Sequence, residues 1–352
     1  KEVRPDKGIT VSVKDGTLQQ VKAADADGDA VAGKLSADRR TWKSTWTLAT
    51  DTKYTVSVTA KGGSGTVTKQ GSFATLEPER TLESGAAPLP GEKVGVGMPI
   101  VLFLSHEVSD KYKPAVERAL QVKASKPQPG SWYWATDKEV QFRTKEYWKP
   151  DTEVTFTAHL AGVYVGKDRY GDENRVAEFT VGDEHIAKVD AKKHRMKVYT
   201  NGELDRTVPV SLGKPGHDTT SGVHIALEKN PHMVMDSATT GCGDGCPGSY
   251  RTPTDWNVRI TYSGEFVHSA PWSTGSQGSA NVSHGCVNAS PSNAKWFYDR
   301  TNRGDVVEVT GTTRDLDWGN GWTPWIKSWK EWQEGSSLKN PVIGASGIPG
   351  QA

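Results

Sequence analysis

The chain is poor in cysteine and methionine and carries almost no excess of either charge. Its 352 residues include three cysteines and four methionines, and 43 basic residues face 42 acidic ones for a net charge of +1. That balance provides no basic surface of the kind that neutralises phosphates, so nucleic acid is not an expected partner. Long apolar runs are missing too. The longest, near Val94 to Leu104, is interrupted by glycine and proline and is far shorter than the roughly 20 residues a spanning helix needs. Sustained heptads are absent, which removes coiled coils. Lys1 to Thr10 shows no charged-then-apolar leader pattern.

Scarce cysteine limits cross-linking. An odd count leaves at least one thiol unpaired within the chain. Cys242 and Cys246, linked through Gly-Asp-Gly, are the natural pair. They fit either a small disulfide-closed turn or two metal ligands, with His232 as a third. Cys286 stands apart, in "NVSHGCVNAS".

What is abundant is β-forming and turn-forming sequence. "GITVSV" and "KYTVSVTA" alternate apolar and polar residues between Gly- and Asp-rich turns, the pattern of half-buried strands. Trp42 and Trp46 are expected in the core of a small β-sandwich over residues 1–80 made of some seven strands. Residues 81–183 repeat the rhythm: "DTKYTVSV" at Asp51 is echoed by "DTEVTFTA" at Asp151. Two tandem immunoglobulin-like sandwiches are therefore predicted, with a boundary in the Pro/Gly/Glu-rich stretch Glu77 to Gly91 and one short helix in "DKYKPAVERAL". Residues 184–312 form a third, mainly β unit. Its Asn201-Gly202 marks a tight hairpin, and a short helix follows "NVSHGCVNAS", capped by Ser290 with Pro291 in its first turn. Residues 313–352 hold Trp318, Trp322, Trp325, Trp329 and Trp332. The spacing of the last four predicts one helical aromatic face, expected to pack on the third unit.

The chemistry centres on Cys286. A thiol attacks carbonyls as its thiolate and is mostly protonated at neutral pH unless a base takes the proton. His284, two residues upstream, shares a side with Cys286 in extended chain, and His268 ends a predicted strand. On the residues alone, a buried structural thiol, a zinc site of His268, His284 and Cys286, and a nucleophile all stay open.

His268, a spacer of fourteen residues, and then "SHGCVN" from Ser283 to Asn288 resemble the signature of the L,D-transpeptidase family, the YkuD-type catalytic domain. The two sandwiches and the Trp-rich tail resemble those of actinobacterial, especially mycobacterial, members. The resemblance implies a mainly β fold, Cys286 as nucleophile and His268 as general base, oriented through the main-chain oxygen of Ser269. It further implies that the N–H groups of His284, Gly285 and Cys286 form an oxyanion hole. Ser283 and Asn288 are implied at the substrate. The stretch from about residue 232 to 263 would form a flap over the cysteine, with Met235, Tyr250 and Trp272 lining the pocket. No metal or organic cofactor is implied. The implied partners are peptidoglycan stem peptides: a tetrapeptide donor acylates Cys286 with loss of D-Ala, and a diaminopimelate amine accepts the acyl group to give a 3→3 cross-link. Carbapenems are implied inhibitors. An L,D-carboxypeptidase using the same thioester, and a non-catalytic wall-binding protein, are the rival readings. A monomer in the cell envelope or periplasm is expected, anchored through an N-terminal segment outside this chain.

Overall fold

The computed structural model describes residues 2–240, 243, 249–338 and 347. Strands dominate it, as the alternating sequence patterns require. The first sandwich pairs two three-stranded sheets. One is ordered Thr10–Ser12, Thr41–Ser44, Gly33–Leu35, the other Thr17–Asp25, Lys53–Gly62, Gly65–Ala74. Ile9, Leu18, Trp42, Leu48 and Tyr54 fill the space between them. Trp42 is buried there as expected, but Trp46 is not a core residue. It stands half-buried at the junction with the second sandwich, its ring stacked on His159 at 3.8 Å. Beside it Thr47 Oγ1 donates to the Ala161 carbonyl at 2.6 Å.

The second sandwich pairs two four-stranded sheets. One contains Gly130–Thr136, Glu139–Thr144, Ile100–Leu104 and Ser84–Ala87, the other Leu120–Ala124, Glu153–Ala158, Arg175–Val181 and Lys93–Val94. Trp132, Phe142 and Phe156 are packed ring to ring between them. The sequence echo has a local basis: Asp51 (φ 45°) and Asp151 (φ 53°) both take the left-handed conformation just before a strand, a role that the short polar aspartate tolerates.

The third unit has a five-stranded and a four-stranded sheet. The first is ordered Glu203–Pro209, Arg195–Thr200, His185–Asp190, Val306–Thr310, Gly222–Ile225. Asn201 and Gly202, at φ 50° and 85°, make the predicted tight turn. The second is ordered Glu228–Asp236, Arg251–Arg259, Phe266–Ser269, Val287–Ala289. The helix Pro291–Arg300 begins at Ser290, whose hydroxyl accepts from the Asn293 N–H. Its Ala294 and Phe297 reach the core beside Val258, Val267 and Val287.

The tail does not form one continuous helix. Pro324–Ile326 is a single 3-10 turn, Lys327 is extended, and a new helix Trp329–Glu334 starts at a Ser328–Glu331 capping box. The four tryptophans therefore point at different partners, and most of them meet the second sandwich rather than the third unit. Trp325 Nε1 donates to the Gly97 carbonyl at 2.7 Å and Trp332 Nε1 to the Ser131 carbonyl at 2.9 Å. The Arg143 guanidinium lies 4.6, 5.4 and 5.1 Å from the Trp325, Trp329 and Trp332 rings and donates to the Lys327 carbonyl. A buried cation needs such π-faces and carbonyls, and they pull the tail onto Arg143. Trp322 joins a core that runs without interruption from the second sandwich into Ile225, Leu227 and Val306 of the third unit. Replacement Trp332→Ala removes a fully buried ring and its hydrogen bond, so chemical denaturation should show a loss of about 3–5 kcal/mol. A loss below about 1 kcal/mol would place the tail outside the cooperative structure.

Candidate active site

Two short strands build the centre of the site. Phe266–Ser269 and Val287–Ala289 run parallel, with His268 opposite Asn288. Side chains two residues apart on an extended chain face the same way, so Cys286, just ahead of its strand, lies on the side of Asn288 and His268. All three line one cleft of about 360 Å³.

His268 is buried, and its Nδ1 lies 2.8 Å from the carbonyl of Ser269. A carbonyl only accepts, so Nδ1 carries the proton and Nε2 presents a lone pair. Burial pushes the imidazole down to about 4, against weaker upward pulls from the Ser269 carbonyl and Asn288. Asn288 is itself held, donating to Ser273 Oγ at 3.1 Å. The Cys286 thiol points at the Gly264 carbonyl at 3.6 Å. Burial pushes it up to about 12, opposed by the Phe266 N–H, and Glu265 would raise it further when ionised. At neutral pH the site therefore rests as a neutral thiol beside a neutral imidazole.

The loop between Ser283 and Cys286 is stapled from within. Ser283 Oγ donates to the Cys286 carbonyl at 2.6 Å and accepts from the Gly285 N–H at 3.1 Å. Ser283 lies on the cleft wall, but its hydroxyl is spent on the loop. The same bond occupies the Gly285 donor, one of the three expected to bind an oxyanion. Gly285 sits at φ 122°, a conformation that disfavours any side chain although a Cβ would make only ordinary contacts, with the Glu265 side chain at 3.7 Å and the His217 carbonyl at 3.8 Å. His284 is exposed at the mouth, its ring 5.2 Å from Tyr250 and 4.9 Å from His217, with Nε2 3.2 Å from Lys214 Nζ. That position suits a wall of the cleft better than a base.

The remaining residues expected in the pocket also line it. Met235 packs with Phe266 and Cys286, and Met233 and Tyr250 lie against them. Trp272 is more than half exposed, its ring 6.0 Å from that of His268. Met235 and Tyr250 belong to the expected flap, here the pairing of Glu228–Asp236 with Arg251–Arg259. Cys242 and Cys246, with their disulfide or zinc reading, lie outside the described residues. His232 is exposed and bonded to Asp255 at 2.7 Å. Among the described residues no group of three His, Cys, Asp or Glu is placed to hold a metal ion.

Sequence reasoning missed Ser273, which anchors Asn288, and Glu265, which lies behind the cysteine loop. Neither has a spacing signature. Glu265, next to an apolar strand in "SGEFVHS", is the one carboxylate there that a reader could have questioned.

The chain can now be set beside known proteins. Residues 1–164 match a bacterial Ig domain family (Big_10), and residues 184–309 match the L,D-transpeptidase catalytic domain (YkuD). Fold and site together define a β-rich YkuD catalytic domain carried behind immunoglobulin-like structure. L,D-transpeptidase 2 of Mycobacterium tuberculosis (strain CDC 1551 / Oshkosh) is 39% identical over 336 residues, 95% of this chain and 82% of that protein. L,D-transpeptidase 5 of the H37Rv strain is 34% identical over 97% of this chain and 76% of its own length. The chain belongs to the L,D-transpeptidase family. An L,D-transpeptidase solved in complex with imipenem is 37% identical and superposes with a TM-score of 0.56, covering 64% of this chain and 97% of its own. L,D-transpeptidase 3 of M. tuberculosis, solved with a faropenem-derived adduct, is 28% identical with a TM-score of 0.55, covering 64% and 97% of the two chains.

Burial has a measurable consequence. His268, His224 and His159 are each pushed down to about 4 from an ordinary 6.5, in every case chiefly by burial. Below pH 6.5 the unfolded chain binds protons that the folded one refuses, so the stabilisation is complete above 6.5 and is lost as pH falls towards 4. His185, raised by its bond to Asp305, and the Glu265 and Asp305 carboxyls, raised by burial, work in the opposite sense. Between pH 7 and pH 4.5 the Tm of wild type should therefore fall further than that of His159→Gln, from which one such ring is removed. An equal fall in the two proteins would contradict neutral burial of the His159 ring.

Proposed function

We propose that the protein is a peptidoglycan L,D-transpeptidase working through a Cys286 thioester. One observation carries the reading: Cys286 and His268 line the same cleft, with the His268 lone pair freed by the bond from Nδ1 to the Ser269 carbonyl. Resting neutral, the pair holds its proton until substrate arrives. The donor carbonyl, that of the third residue of a tetrapeptide stem, enters beside Cys286, and the thiol proton moves to His268 Nε2 as the sulfur–carbon bond forms. The tetrahedral oxyanion is met by main-chain N–H groups of the His284–Cys286 loop. The Ser283 staple takes the Gly285 N–H but fixes the loop in advance, so the N–H groups of His284 and Cys286 need little reorganisation. His268 then returns the proton to the departing D-Ala amine, leaving the thioester. The side-chain amine of a diaminopimelate on a second stem attacks, gives its proton to His268 and restores the thiol. The tilted rings of Tyr250 and His284 and the exposed Trp272 flank the entrance and suit a peptide more than a small metabolite. The reading places the protein in the cell envelope, outside the cytoplasm, as a monomer.

A strained β-lactam amide should acylate the same sulfur. Whole-protein mass spectrometry with a carbapenem should show one added equivalent on the wild type and none on Cys286→Ala. Disaccharide-tetrapeptide should give cross-linked dimer. Monomeric tripeptide alone would make water the acceptor and the protein a carboxypeptidase.

Loss of the base through His268→Ala should slow acylation by about 10²–10⁴-fold. Ser269→Ala keeps the main-chain carbonyl that orients the ring and should cost less than about tenfold in the same assay. Equal losses would move the orienting role to the serine side chain.

A further inference from the structure

Behind the cysteine loop lies a buried chain of polar groups that the proposed reaction does not use. Glu265 sits between Gly264 and Phe266, whose carbonyl and N–H both meet the Cys286 sulfur. Its carboxyl is 4% exposed. One oxygen accepts from the Thr220 N–H at 3.0 Å, and the other lies 2.5 Å from Thr220 Oγ1. Thr220 Oγ1 lies 2.8 Å from His224 Nε2, and His224 Nδ1 lies 3.3 Å from the Val307 carbonyl. His224 is fully buried.

Counting protons along this chain is informative. Three contacts, from Glu265 to Thr220, from Thr220 to His224 and from His224 to Val307, each need one hydrogen. An ionised Glu265 and a neutral His224 bring only two, one on the threonine oxygen and one on the ring. Either the carboxyl or the ring must hold a third. Burial lifts the Glu265 carboxyl above its ordinary range and pushes His224 down to about 4, which favours the carboxyl. The groups facing Glu265 are then His224 from the strand Gly222–Ile225, Arg314 Nη1 at 3.7 Å from the tail, and Cys286. The Thr220 hydroxyl and N–H, and after them half-exposed Arg314, oppose protonation.

We propose that Glu265 is a positioning residue for acyl transfer that works as a neutral acid. The proton on Glu265 is donated to Thr220 Oγ1, the threonine proton to His224 Nε2, and the Nδ1 proton to the Val307 carbonyl. In that state the chain backs Gly285 and seats Gly264 and Phe266 against the sulfur without setting a negative charge beside a developing thiolate and oxyanion. When base removes the proton, Thr220 turns its hydroxyl to the carboxylate, and a negative charge lies against the loop where a Gly285 Cβ would be 3.8 Å from the nearer oxygen.

The inference rests on the thioester reading, and two measurements on the full chain separate them. The first is the rate of Cys286 acylation by a carbapenem against pH. Ionisation of the thiol raises reactivity as pH rises, whereas ionisation of Glu265 lowers it. Attack by the neutral thiol through His268 is itself level with pH between about 4 and 12, so on that route wild type should show an alkaline fall of up to about tenfold per pH unit as Glu265 ionises, lost or displaced to higher pH in Glu265→Gln. Thr220→Ser should retain the fall, and Thr220→Val should displace it. A limb unchanged across all the variants overturns the proposal. The second is the infrared difference between neutral and alkaline wild-type protein. It should show the carbonyl stretch of one buried carboxylic acid vanish as pH rises, a band missing from Glu265→Gln. No such band overturns the proposal even if a variant fails to fold. Adduct failing at every pH while the band is present would instead remove the thioester reading and keep the neutral acid.

Discussion

The site depends on one pairing, the parallel register of Phe266–Ser269 with Val287–Ala289. A shift of one residue would turn Cys286 and Asn288 to the far face of the sheet and leave His268 alone on the cleft wall. The register is enforced by apolar neighbours. Val267 and Val287 face each other in a fully buried layer, and the helix Pro291–Arg300 packs across that layer through Ala294 and Phe297. Because the two strands are parallel, their connection must travel, and the fourteen-residue spacer between His268 and Ser283 is that journey. The spacing in the sequence is thus a topological requirement: it lets the chain return beside its own base.

The fold was legible where periodicity is strong. Alternating runs around Val11, Val56 and Val198, the Asn201-Gly202 turn and the Ser290-Pro291 helix start are local signals, each with a local cause. Trp46 and the tail tryptophans were misplaced because their partners, His159 and Arg143, are distant in sequence and carry no pattern of their own. Helical spacing promised one face for the tail, but Ser328 and Glu331 make a better helix start than the residues before them. The site residues were named through the signature, and spacing alone left the nucleophile, zinc and structural readings of Cys286 open. Hidden from both were the Ser283 staple, a local bond that spacing does not announce, and the Glu265 chain, whose hydrogen-bond partners stand 45 residues apart and leave no trace in composition.

Burial shapes the chemistry more than charge does. The thiol and the imidazole are held in their uncharged forms by the same walls that exclude water. A thiol held in this way is protected from stray electrophiles, and under the proposed function its activation is tied to the arrival of a carbonyl that can accept the developing charge. A neutral resting pair also has little electrostatic penalty to meet on closing over a peptide.

The molecule's joints are unequal. An unbroken apolar core ties the second sandwich to the catalytic unit, and Glu92 and Arg303 add an ion pair across that boundary. Between the two sandwiches stand the stacked Trp46–His159 rings, the Thr47 hydroxyl bond and the Arg4 guanidinium over the Tyr164 ring, without a shared apolar core. Mechanically this is a rigid hand on a softer wrist. A pull on the N-terminal end would load this lighter joint before it reached the apolar core that backs the cleft.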